Sequence, residues 1–260
     1  MLFCLTFLCL LSGAVAYPHS AERDGVSLPQ QNDGHSAILS RVGRAASASK
    51  RELVGGLLGT IGDLLGLGGS HSSSGTFAGP CSDVIVIFAR GTGEPEPIGD
   101  RVGPQLEAAL RSVLGNRTLS FTGVDYPAQV PGYLESGNLE DSAKMAHILT
   151  SAAGQCPSAS LVSSGYSQGG QLVHNSAALL APIVSARIKA AVIFGDPDYA
   201  LRKPIYGVAA SDTYIVCHDA DPICLSLGVL GAPLDALFAP EHLNYGLDAP
   251  GAAQFIAERV

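Results

Sequence analysis

Apolar residues follow two rhythms from residue 80 onwards, and the two rhythms alternate along the chain. Continuous apolar runs, which are typical of buried strands, occupy five segments: 84–89, 119–124, 159–164, 190–194 and 213–216. Apolar positions at helical spacing occupy 102–114, 139–153 and 249–259, and also a segment between residue 167 and Leu180. Buried strands that alternate with helices predict an α/β fold, a three-layer sandwich around a central, mostly parallel sheet. In such folds the functional site forms beyond the carboxyl ends of the strands.

The first 79 residues follow a different pattern, and we predict that they precede a single folded domain at residues 80–260. Residues 2–11 are apolar and lead to Ala14-Val15-Ala16, which predicts a secretory signal peptide at residues 1–16. The apolar run is too short to span a bilayer. We interpret residues 17–79 as a propeptide or disordered leader that ends in a Gly/Ser-rich linker.

Two features of this leader leave alternatives open. Lys50-Arg51 is a dibasic pair, so either a processing protease cuts after Arg51 or the segment stays as a solvated arm. Residues 52–67 carry apolar residues at helical spacing, interrupted by glycines. They either dock on an apolar surface or form an unstructured part of the leader.

Length and composition fit one sizeable globular domain. Of the 260 residues, 47% are hydrophobic and 15% are charged, which provides an ample core. The net charge of −8 argues against nucleic acid as a partner. The sequence has no phosphate-binding loop, nucleotide fingerprint or metal-ligand cluster. We therefore predict neither a cofactor nor a metal, and we expect a monomer.

Cysteine usage favours an oxidising compartment. Two of the six cysteines lie in the signal peptide, and the other four are Cys81, Cys156, Cys217 and Cys224. Four cysteines allow three pairings; Cys217 with Cys224 closes a short local loop and leaves Cys81 to pair with Cys156. Secreted four-cysteine sets usually form disulfides. A metal site is the alternative, and it fits poorly because His218 alone lies at ligand spacing.

The third strand runs into Gly165-Tyr166-Ser167-Gln168-Gly169, a G-x-S-x-G sequence followed by an apolar helix. In this position it predicts a nucleophile elbow, a turn so tight that the residues two before and two after the serine must lack bulky side chains. Ser167 would stand at the apex, and the helix would direct its free N–H groups and positive dipole end at the reacting centre. The alternative is a serine in an ordinary glycine-rich turn.

A nucleophilic serine needs a base, an acid that orients the base, and donors for the oxyanion. In α/β-hydrolase-like folds these residues follow the order serine, acid, histidine. His242 lies before the last helix, as this order requires, whereas His218 precedes Asp221 and has the wrong order for that acid. The candidate acids are Asp196, Asp198, Asp219, Asp221 and Asp235. Asp221 is favoured because a closed loop would hold it rigidly, and Asp196 is second.

Residues 81–260 resemble the cutinase family of secreted serine esterases, which also includes acetylxylan esterases. The resemblance rests on the elbow within 157–169, on Phe88-Ala89-Arg90-Gly91-Thr92, and on the Cys217–Cys224 loop with Asp221 inside. It implies an α/β-hydrolase-like single domain with a minimal lid, and a secreted ester hydrolase. It also implies the disulfides Cys81–Cys156 and Cys217–Cys224.

By the same resemblance Ser167 is the nucleophile, His242 the base and Asp221 the acid. Gln168 and Thr92 would donate backbone N–H groups to the oxyanion, and such a donor is typically worth ~3 kcal/mol of the barrier. The family often has serine in place of Thr92. Threonine keeps the hydroxyl as an extra donor but restricts its rotamer.

The sequence departs from the family in two places. Ser226 stands where a glycine is usual, and the apolar segment 225–238 makes the span between acid and base longer than usual. This segment forms either an apolar rim over the site or a core-packed insertion. A rim would fit a fatty-acyl chain and favour a cutinase. Gly169-Gly170 and Gly195-Asp196-Pro197 are similar to the acetylxylan esterase branch, so the branch stays open.

We therefore expect a secreted serine carboxylic-ester hydrolase whose substrate is cutin, another acyl ester or an acetylated polysaccharide. The rival from another class is a secreted non-catalytic module that binds polysaccharide or a host surface, and a peptidase of this fold is a third option. Asn116-Arg117-Thr118 is an N-x-T sequon, so Asn116 is a glycosylation candidate unless the sequon stays unmodified. His147 and His174 lie within helices and are interpreted as packing or surface residues.

Overall fold

A computed structural model describes residues 75–260 of the chain. The expected signal peptide at 1–16, the dibasic pair and the segment at 52–67 lie outside the described residues. The expectations for these parts of the chain therefore stay predictions.

Core packing begins slightly before the boundary that the sequence suggests. The side chain of Phe77, which the sequence analysis assigns to the linker, is 3% exposed and packs in the same hydrophobic core as Ile85 and Ile87. Its backbone N–H donates to Ser151 Oγ, and its carbonyl oxygen accepts from Gln155 Nε2. A lone aromatic residue among glycines and serines gives no periodic signal, which is why the pattern alone places the boundary at Pro80.

Five strands form one parallel sheet in the order β2-β1-β3-β4-β5. Their bounds are β1 Val84–Ala89, β2 Leu119–Gly123, β3 Ser160–Tyr166, β4 Ile188–Phe194 and β5 Thr213–Val216. The strand order reverses between β1 and β3, so the connections after these two strands leave in opposite directions and open a crevice at their carboxyl ends. Ala89 lies opposite Gly165 in the register, which brings the loop after β1 next to the loop after β3.

Between residues 75 and 260 the chain forms eight α-helices and four short 3-10 helices. The α-helices are α1 Gly103–Val113, α2 Val130–Leu134, α3 Leu139–Gln155, α4 Gln168–Leu179, α5 Pro182–Ser185, α6 Pro222–Leu225, α7 Pro240–Leu243 and α8 Ala249–Ala257. The 3-10 helices are Ala210–Asp212, Gly228–Leu230, Leu234–Phe238 and Tyr245–Asp248.

Helices cover both faces of the sheet, which explains why the strands are continuously apolar. In β1, Ile85 and Ile87 pack in the core that α3 and α4 contribute to. Val86 and Phe88, which point the other way, pack in the core formed with α1 and α8. The predicted three-layer α/β sandwich with a parallel central sheet is confirmed.

The described residues form two disulfides, with the pairing that the family resemblance implies. Cys81–Cys156 joins the segment before β1 to the segment before β3, and Cys217–Cys224 closes the loop after β5. Such bonds persist in oxidising compartments, so they are consistent with secretion. Within the described part of the chain, no helix is both long enough and apolar enough to cross a membrane.

Candidate active site

Ser167 lies on the sharp turn between β3 and α4. Its backbone has φ 54° and ψ −121°, a conformation that residues with a side chain rarely adopt. A Cβ at Gly165 would lie 2.3 Å from the carbonyl oxygen of Gly169, and a Cβ at Gly169 would lie 2.0 Å from that of Ala89. Close backbone approach therefore requires glycine at both positions, which is the physical reason for the G-x-S-x-G spacing.

Three side chains that are distant in the sequence form a continuous hydrogen-bonded chain at this turn. His242 Nε2 lies 2.9 Å from Ser167 Oγ, and His242 Nδ1 lies 2.8 Å from Asp221 Oδ2. All three side chains are buried. Because the carboxylate accepts only, the ring hydrogen belongs on Nδ1, and Nε2 is left to accept the hydrogen of the serine hydroxyl. The structure thus brings together the residues that the sequence analysis assigns as nucleophile, base and acid.

Asp221 is held by hydrogen bonds to both of its carboxylate oxygens. Besides His242, Oδ2 accepts from the Tyr245 hydroxyl at 2.7 Å, and Oδ1 accepts from the backbone N–H of Ile223 at 2.9 Å. Burial opposes ionisation, but the hydrogen bonds and the His242 charge hold the pKa of Asp221 below its usual range. The carboxylate is therefore ionised at neutral pH, where it orients the imidazole and stabilises positive charge on it.

Two tyrosines support the base, a role that the sequence analysis did not assign to either of them. The Tyr166 hydroxyl donates to the carbonyl oxygen of His242 at 2.7 Å, and the Tyr245 hydroxyl donates to Asp221. Burial raises the pKa of both hydroxyls, so they act as hydrogen-bond donors and keep their protons. Tyr166 belongs to the elbow sequence and Tyr245 follows His242 by three positions, but only the folded chain shows what their hydroxyls bind.

The loop after β1 places Thr92 against Gln168, the first residue of α4. Thr92 Oγ1 donates to Gln168 Oε1 at 3.1 Å, and Gln168 Nε2 donates to the carbonyl oxygen of Gln129 at 3.2 Å. Among the hydrogen bonds formed within residues 75–260, none uses the backbone N–H of Thr92 or of Gln168. Both N–H groups are thus free to donate near Ser167. The Thr92 hydroxyl, considered above as an extra donor, is directed at a side chain instead.

A buried carboxylate, Glu94, shapes this loop, although the sequence analysis did not single it out. It accepts three backbone N–H bonds, from Gly91 at 2.6 Å, Asp100 at 3.1 Å and Arg101 at 3.0 Å. The bond to Gly91 fixes the Arg90–Gly91 peptide, and the Glu94 N–H donates at 3.2 Å to the Gly91 carbonyl oxygen, in the peptide that carries the Thr92 N–H. Glu94 therefore holds the backbone whose N–H group is the oxyanion donor expected from the sequence.

Arg90 ties the same loop to the loop after β2. Its buried guanidinium donates to the carbonyl oxygens of Glu94 at 2.9 Å, Val124 at 3.3 Å and Tyr126 at 2.6 Å. A further bond of 3.3 Å reaches the exposed carboxylate of Glu96. A planar group with five donors suits this arrangement, because it holds several carbonyl oxygens of two loops at once.

The other acids that the sequence analysis considered bind other partners or face the solvent. Asp196, the second choice, lies 3.0 Å from the Nε2 atom of His174, and both side chains are buried. His174, interpreted as a packing or surface residue, is therefore a buried polar partner. Asp198 pairs with Lys203 at 2.8 Å. The remaining two candidates, Asp219 and Asp235, are exposed.

The segment at 225–238 is divided between core and surface, so the description as a core-packed insertion fits only its buried part. Leu237 is buried in a small cluster with Tyr133 of α2. Leu227 and Phe238 are 70% and 72% exposed. The segment joins the Asp221 loop to α7, which carries the base, and its exposed apolar side chains therefore stand on chain that adjoins the site.

Two further positions that the sequence analysis named, Ser226 and Asn116, lie outside the hydrogen-bonded chain of Ser167, His242 and Asp221. Ser226, which replaces the usual glycine, donates through its hydroxyl to the carbonyl oxygen of Pro222 and closes the end of α6. Asn116 is exposed in the turn between α1 and β2. Among the described residues, no group of three or more His, Cys, Asp or Glu side chains is arranged to hold a metal ion.

Known proteins with similar sequences were found over most of the chain. A family model described as Cutinase matches residues 80–260. A cutinase of Botryotinia fuckeliana is 49% identical over 176 residues, which is 68% of this chain and 82% of that protein. A cutinase of Trichoderma harzianum is 36% identical over 256 residues, 96% of each chain, so that match includes the leader.

Solved structures are similar as well. The structure of Trichoderma reesei cutinase in complex with a C11Y4 phosphonate inhibitor matches with a TM-score of 0.63 and 36% identity, over 85% of this chain and 96% of that chain. The structure of an acetylxylan esterase matches with a TM-score of 0.54 and 22% identity, over 69% and 99%. The second likeness concerns the fold alone.

Proposed function

The chain belongs to the cutinase family, and from this premise we propose that Ser167, His242 and Asp221 hydrolyse fatty-acyl esters, with cutin as the substrate. The activity of the family is serine ester hydrolysis, and this chain is a cutinase-type ester hydrolase. The observation that carries the assignment of residues is the hydrogen-bonded chain from Ser167 Oγ through the imidazole to Asp221.

In the first half of the reaction Ser167 attacks the ester carbon. His242 Nε2, 2.9 Å from Oγ, takes the hydroxyl proton as the C–O bond forms, and the imidazolium then gives it to the leaving alcohol. Asp221 keeps the ring in the reactive tautomer and stabilises its positive charge. The product of this half is an acyl-enzyme on Ser167.

In the second half a water molecule attacks the acyl-enzyme with the same imidazole as base, and the acid is released. Both halves pass through an oxyanion, for which the backbone N–H groups of Gln168 and Thr92 are the proposed donors. The bond between the Thr92 hydroxyl and Gln168 Oε1 supports this role, because it fixes the two donors relative to each other before the substrate binds.

The surface around the proposed nucleophile favours a long acyl chain over acetyl. Exposed apolar side chains stand on two segments next to the site: Val130 and Leu134 of α2, and Leu225, Leu227, Leu234 and Phe238. The start of α2 adjoins the oxyanion donors, since the Gln129 carbonyl binds Gln168. Covering apolar surface contributes about 25 cal/mol per Å². A fatty-acyl chain has a long apolar surface with which to cover such side chains, whereas an acetyl group has a single methyl group.

Maturation and location complete the proposal. We propose that residues 1–16 direct secretion, that Lys50-Arg51 is a cleavage site in the leader, and that Asn116 carries an N-linked glycan. The disulfides support passage through an oxidising compartment, and the exposure of Asn116 supports its modification. We further propose that the mature enzyme is a monomer.

One set of assays on the secreted enzyme distinguishes the proposed function from two alternatives, an acetylxylan esterase and a non-catalytic binding module. Rates on cutin, a triglyceride emulsion and acetylated xylan are compared, and the wild type should act on the first two. Preference for acetylated xylan would place the chain in the acetylxylan esterase branch. An organophosphate that fails to label Ser167 would favour a non-catalytic binding module, because such a module lacks an activated serine.

The assignment of the nucleophile is tested by Ser167→Ala with a p-nitrophenyl ester. Ser112→Ala, at an exposed position on α1, is the matched control and should keep wild-type turnover. Ser167→Ala should lose at least about 10³-fold in kcat, because the covalent route is removed. Turnover at the wild-type rate would refute the assignment.

A further inference from the structure

His218 bridges the two segments that carry the proposed acid and base. It lies in the disulfide-closed loop of Asp221, and its Nδ1 lies 2.9 Å from the carbonyl oxygen of Glu241, the residue before His242. Its Nε2 lies 2.8 Å from Oδ2 of Asp248, in the 3-10 helix that leads into α8. One imidazole thus connects three segments of the site.

Both ring nitrogens of His218 face groups that only accept hydrogen bonds. A carbonyl oxygen and an ionised carboxylate have no hydrogen to give. A neutral imidazole has a single N–H, so one of the two contacts would set a nitrogen lone pair against an oxygen lone pair. The imidazolium has an N–H at both positions and satisfies both contacts. The geometry therefore favours a protonated ring.

His218 also reaches the acid through Tyr245. The two rings are stacked, with centroids 4.0 Å apart and planes 19° apart. The backbone N–H of His218 donates to the Tyr245 hydroxyl oxygen at 2.9 Å, and that hydroxyl donates to Asp221 at 2.7 Å. A displacement of His218 would therefore disturb Asp221 through Tyr245 and the backbone of His242 through Glu241.

We propose that protonated His218 is a positioning residue, which fastens the loop of Asp221 to the segment of His242, and that loss of its proton lowers turnover. The inference rests on the proposed function of these two residues, since it concerns the turnover of the same site. The side chain of His218 acts through Tyr245 and the Glu241 carbonyl. The expected effect is on kcat, because the Nδ1 contact of His218 holds the segment that carries the proposed base.

Among residues 75–260, two charged groups face the His218 ring: Asp248, from the 3-10 helix before α8, and Asp221, from its own loop. Partial burial opposes the charged ring, but the bonds to Glu241 and Asp248 raise the pKa of His218 above 6.5. A raised folded-state pKa means that the stabilisation is complete below pH 6.5 and is lost as pH rises through the folded-state value. On this basis kcat should fall at alkaline pH, as His218 loses its proton.

Two variants and two controls test the link between the protonated His218 ring and turnover. His218→Gln removes the charge, and Asp248→Asn keeps the size of the partner while removing its charge. His147→Gln on α3 and Asp212→Asn before β5 are the matched controls. For each protein kcat and KM for a p-nitrophenyl ester are measured over a pH series, and ¹⁵N NMR follows the His218 ring in wild type and Asp248→Asn. Circular dichroism checks folding.

We expect His218→Gln to lose about tenfold in kcat with little change in KM, as fits the loss of one charged hydrogen bond. It should also lose the alkaline fall in kcat. Asp248→Asn should move that fall to lower pH, because the neutral partner stabilises the imidazolium less. The controls should match the wild type. A His218→Gln enzyme with wild-type kcat and pH profile would overturn the proposal, as would equal losses at every pH with the alkaline fall retained.

The NMR titration separates this inference from the assignment of the catalytic residues. A His218 ring that titrates above pH 6.5, and at lower pH in Asp248→Asn, supports the link even if the Ser167→Ala result refutes the nucleophile. A ring that is neutral throughout overturns the link and leaves the esterase assignment untouched. If His218→Gln does not fold, the Asp248→Asn profile and the titration decide.

Discussion

The hydroxyl of Tyr166 donates a hydrogen bond to the carbonyl oxygen of His242, 2.7 Å away. The residue immediately before the proposed nucleophile thus holds the backbone of the proposed base. The turn of Ser167 and the loop of His242 are joined twice, once by this bond and once by the contact between imidazole and serine. The distance between the two reacting atoms therefore depends on a group that takes no part in the chemistry.

Tyr166→Phe removes this donor and leaves the His242 carbonyl without that partner. We expect the free energy of unfolding to fall by about 1–3 kcal/mol, and kcat to fall while KM changes little. Urea unfolding and steady-state kinetics measure the two effects. Tyr206→Phe, at an exposed position, is the control. If Tyr166→Phe behaves like that control, the bond does not position the base.

Asp221→Asn keeps the shape of the acid and removes its charge. We expect kcat to drop by about 10⁴, because an amide favours the wrong tautomer of His242 and cannot stabilise the imidazolium. Kinetics with a p-nitrophenyl ester measure the drop. Asp219→Asn, an exposed neighbour in the same loop, should keep wild-type activity. A loss of less than tenfold would mean that another group orients the base.

The same carboxylate predicts a pH dependence of stability. Its folded-state pKa is lowered from 3.8, so its contribution is present above pH 3.8 and is lost as pH falls through the folded-state value. The wild type should therefore lose its stability advantage over Asp221→Asn on acidification. Urea unfolding at a series of acidic pH values measures this difference. If the difference in free energy of unfolding between the two proteins stays constant with pH, the lowered pKa of Asp221 is contradicted.

Glu94→Gln tests whether the backbone of the Thr92 loop is held in place for catalysis. The amide NH₂ would face a backbone N–H, so at least one of the three bonds to the carboxylate is lost. We expect kcat to fall by up to about 10², the scale of one displaced oxyanion donor, with KM less affected. Glu140→Gln, exposed on α3, is the control. A Glu94→Gln enzyme that loses stability but keeps the wild-type kcat would indicate that Glu94 has a structural role only.

The two disulfides should differ in what their removal costs. Cys81–Cys156 spans 75 residues, and in the chain-entropy model its loss costs about 4–5 kcal/mol, against about 2–3 for Cys217–Cys224, which spans 7. The short Cys217–Cys224 loop carries Asp221. The variant in which both of these cysteines are replaced by serine should therefore lose more activity and less stability than the variant without Cys81–Cys156. Thermal unfolding and kinetics of both variants decide, and the reverse order would contradict this division.

The fold was largely readable from the sequence because its signals are local. Buried strands are continuously apolar, and the helices between them keep one apolar face, so each element can be predicted from a window of about a dozen residues. The strand β5 at Thr213–Val216 has the bounds that the pattern predicts. The elbow is local too, since a Cβ at Gly165 or Gly169 would collide with backbone a few ångströms away.

The hydrogen-bond partners within the site were harder to predict from the sequence, because they depend on where distant loops converge. Five of the aspartates between Ser167 and His242 were candidates, and the residues alone could not decide between Asp221 and Asp196 until the family resemblance was considered. In the folded chain Asp196 binds His174, whereas Asp221 binds His242. Nothing within a short window of sequence distinguishes these two pairings.

The sequence by itself therefore determined the alternation of strands and helices, the elbow and the order of the candidate residues, since these follow from local sterics and from which faces must be buried. Only the tertiary structure decided that Glu94 holds the Thr92 loop, that Tyr166 and Tyr245 support the base, and that His218 joins the acid loop to the segment of His242. The physical reason is that buried polar groups must find partners, and which partner is within reach is set by the packing of the whole domain.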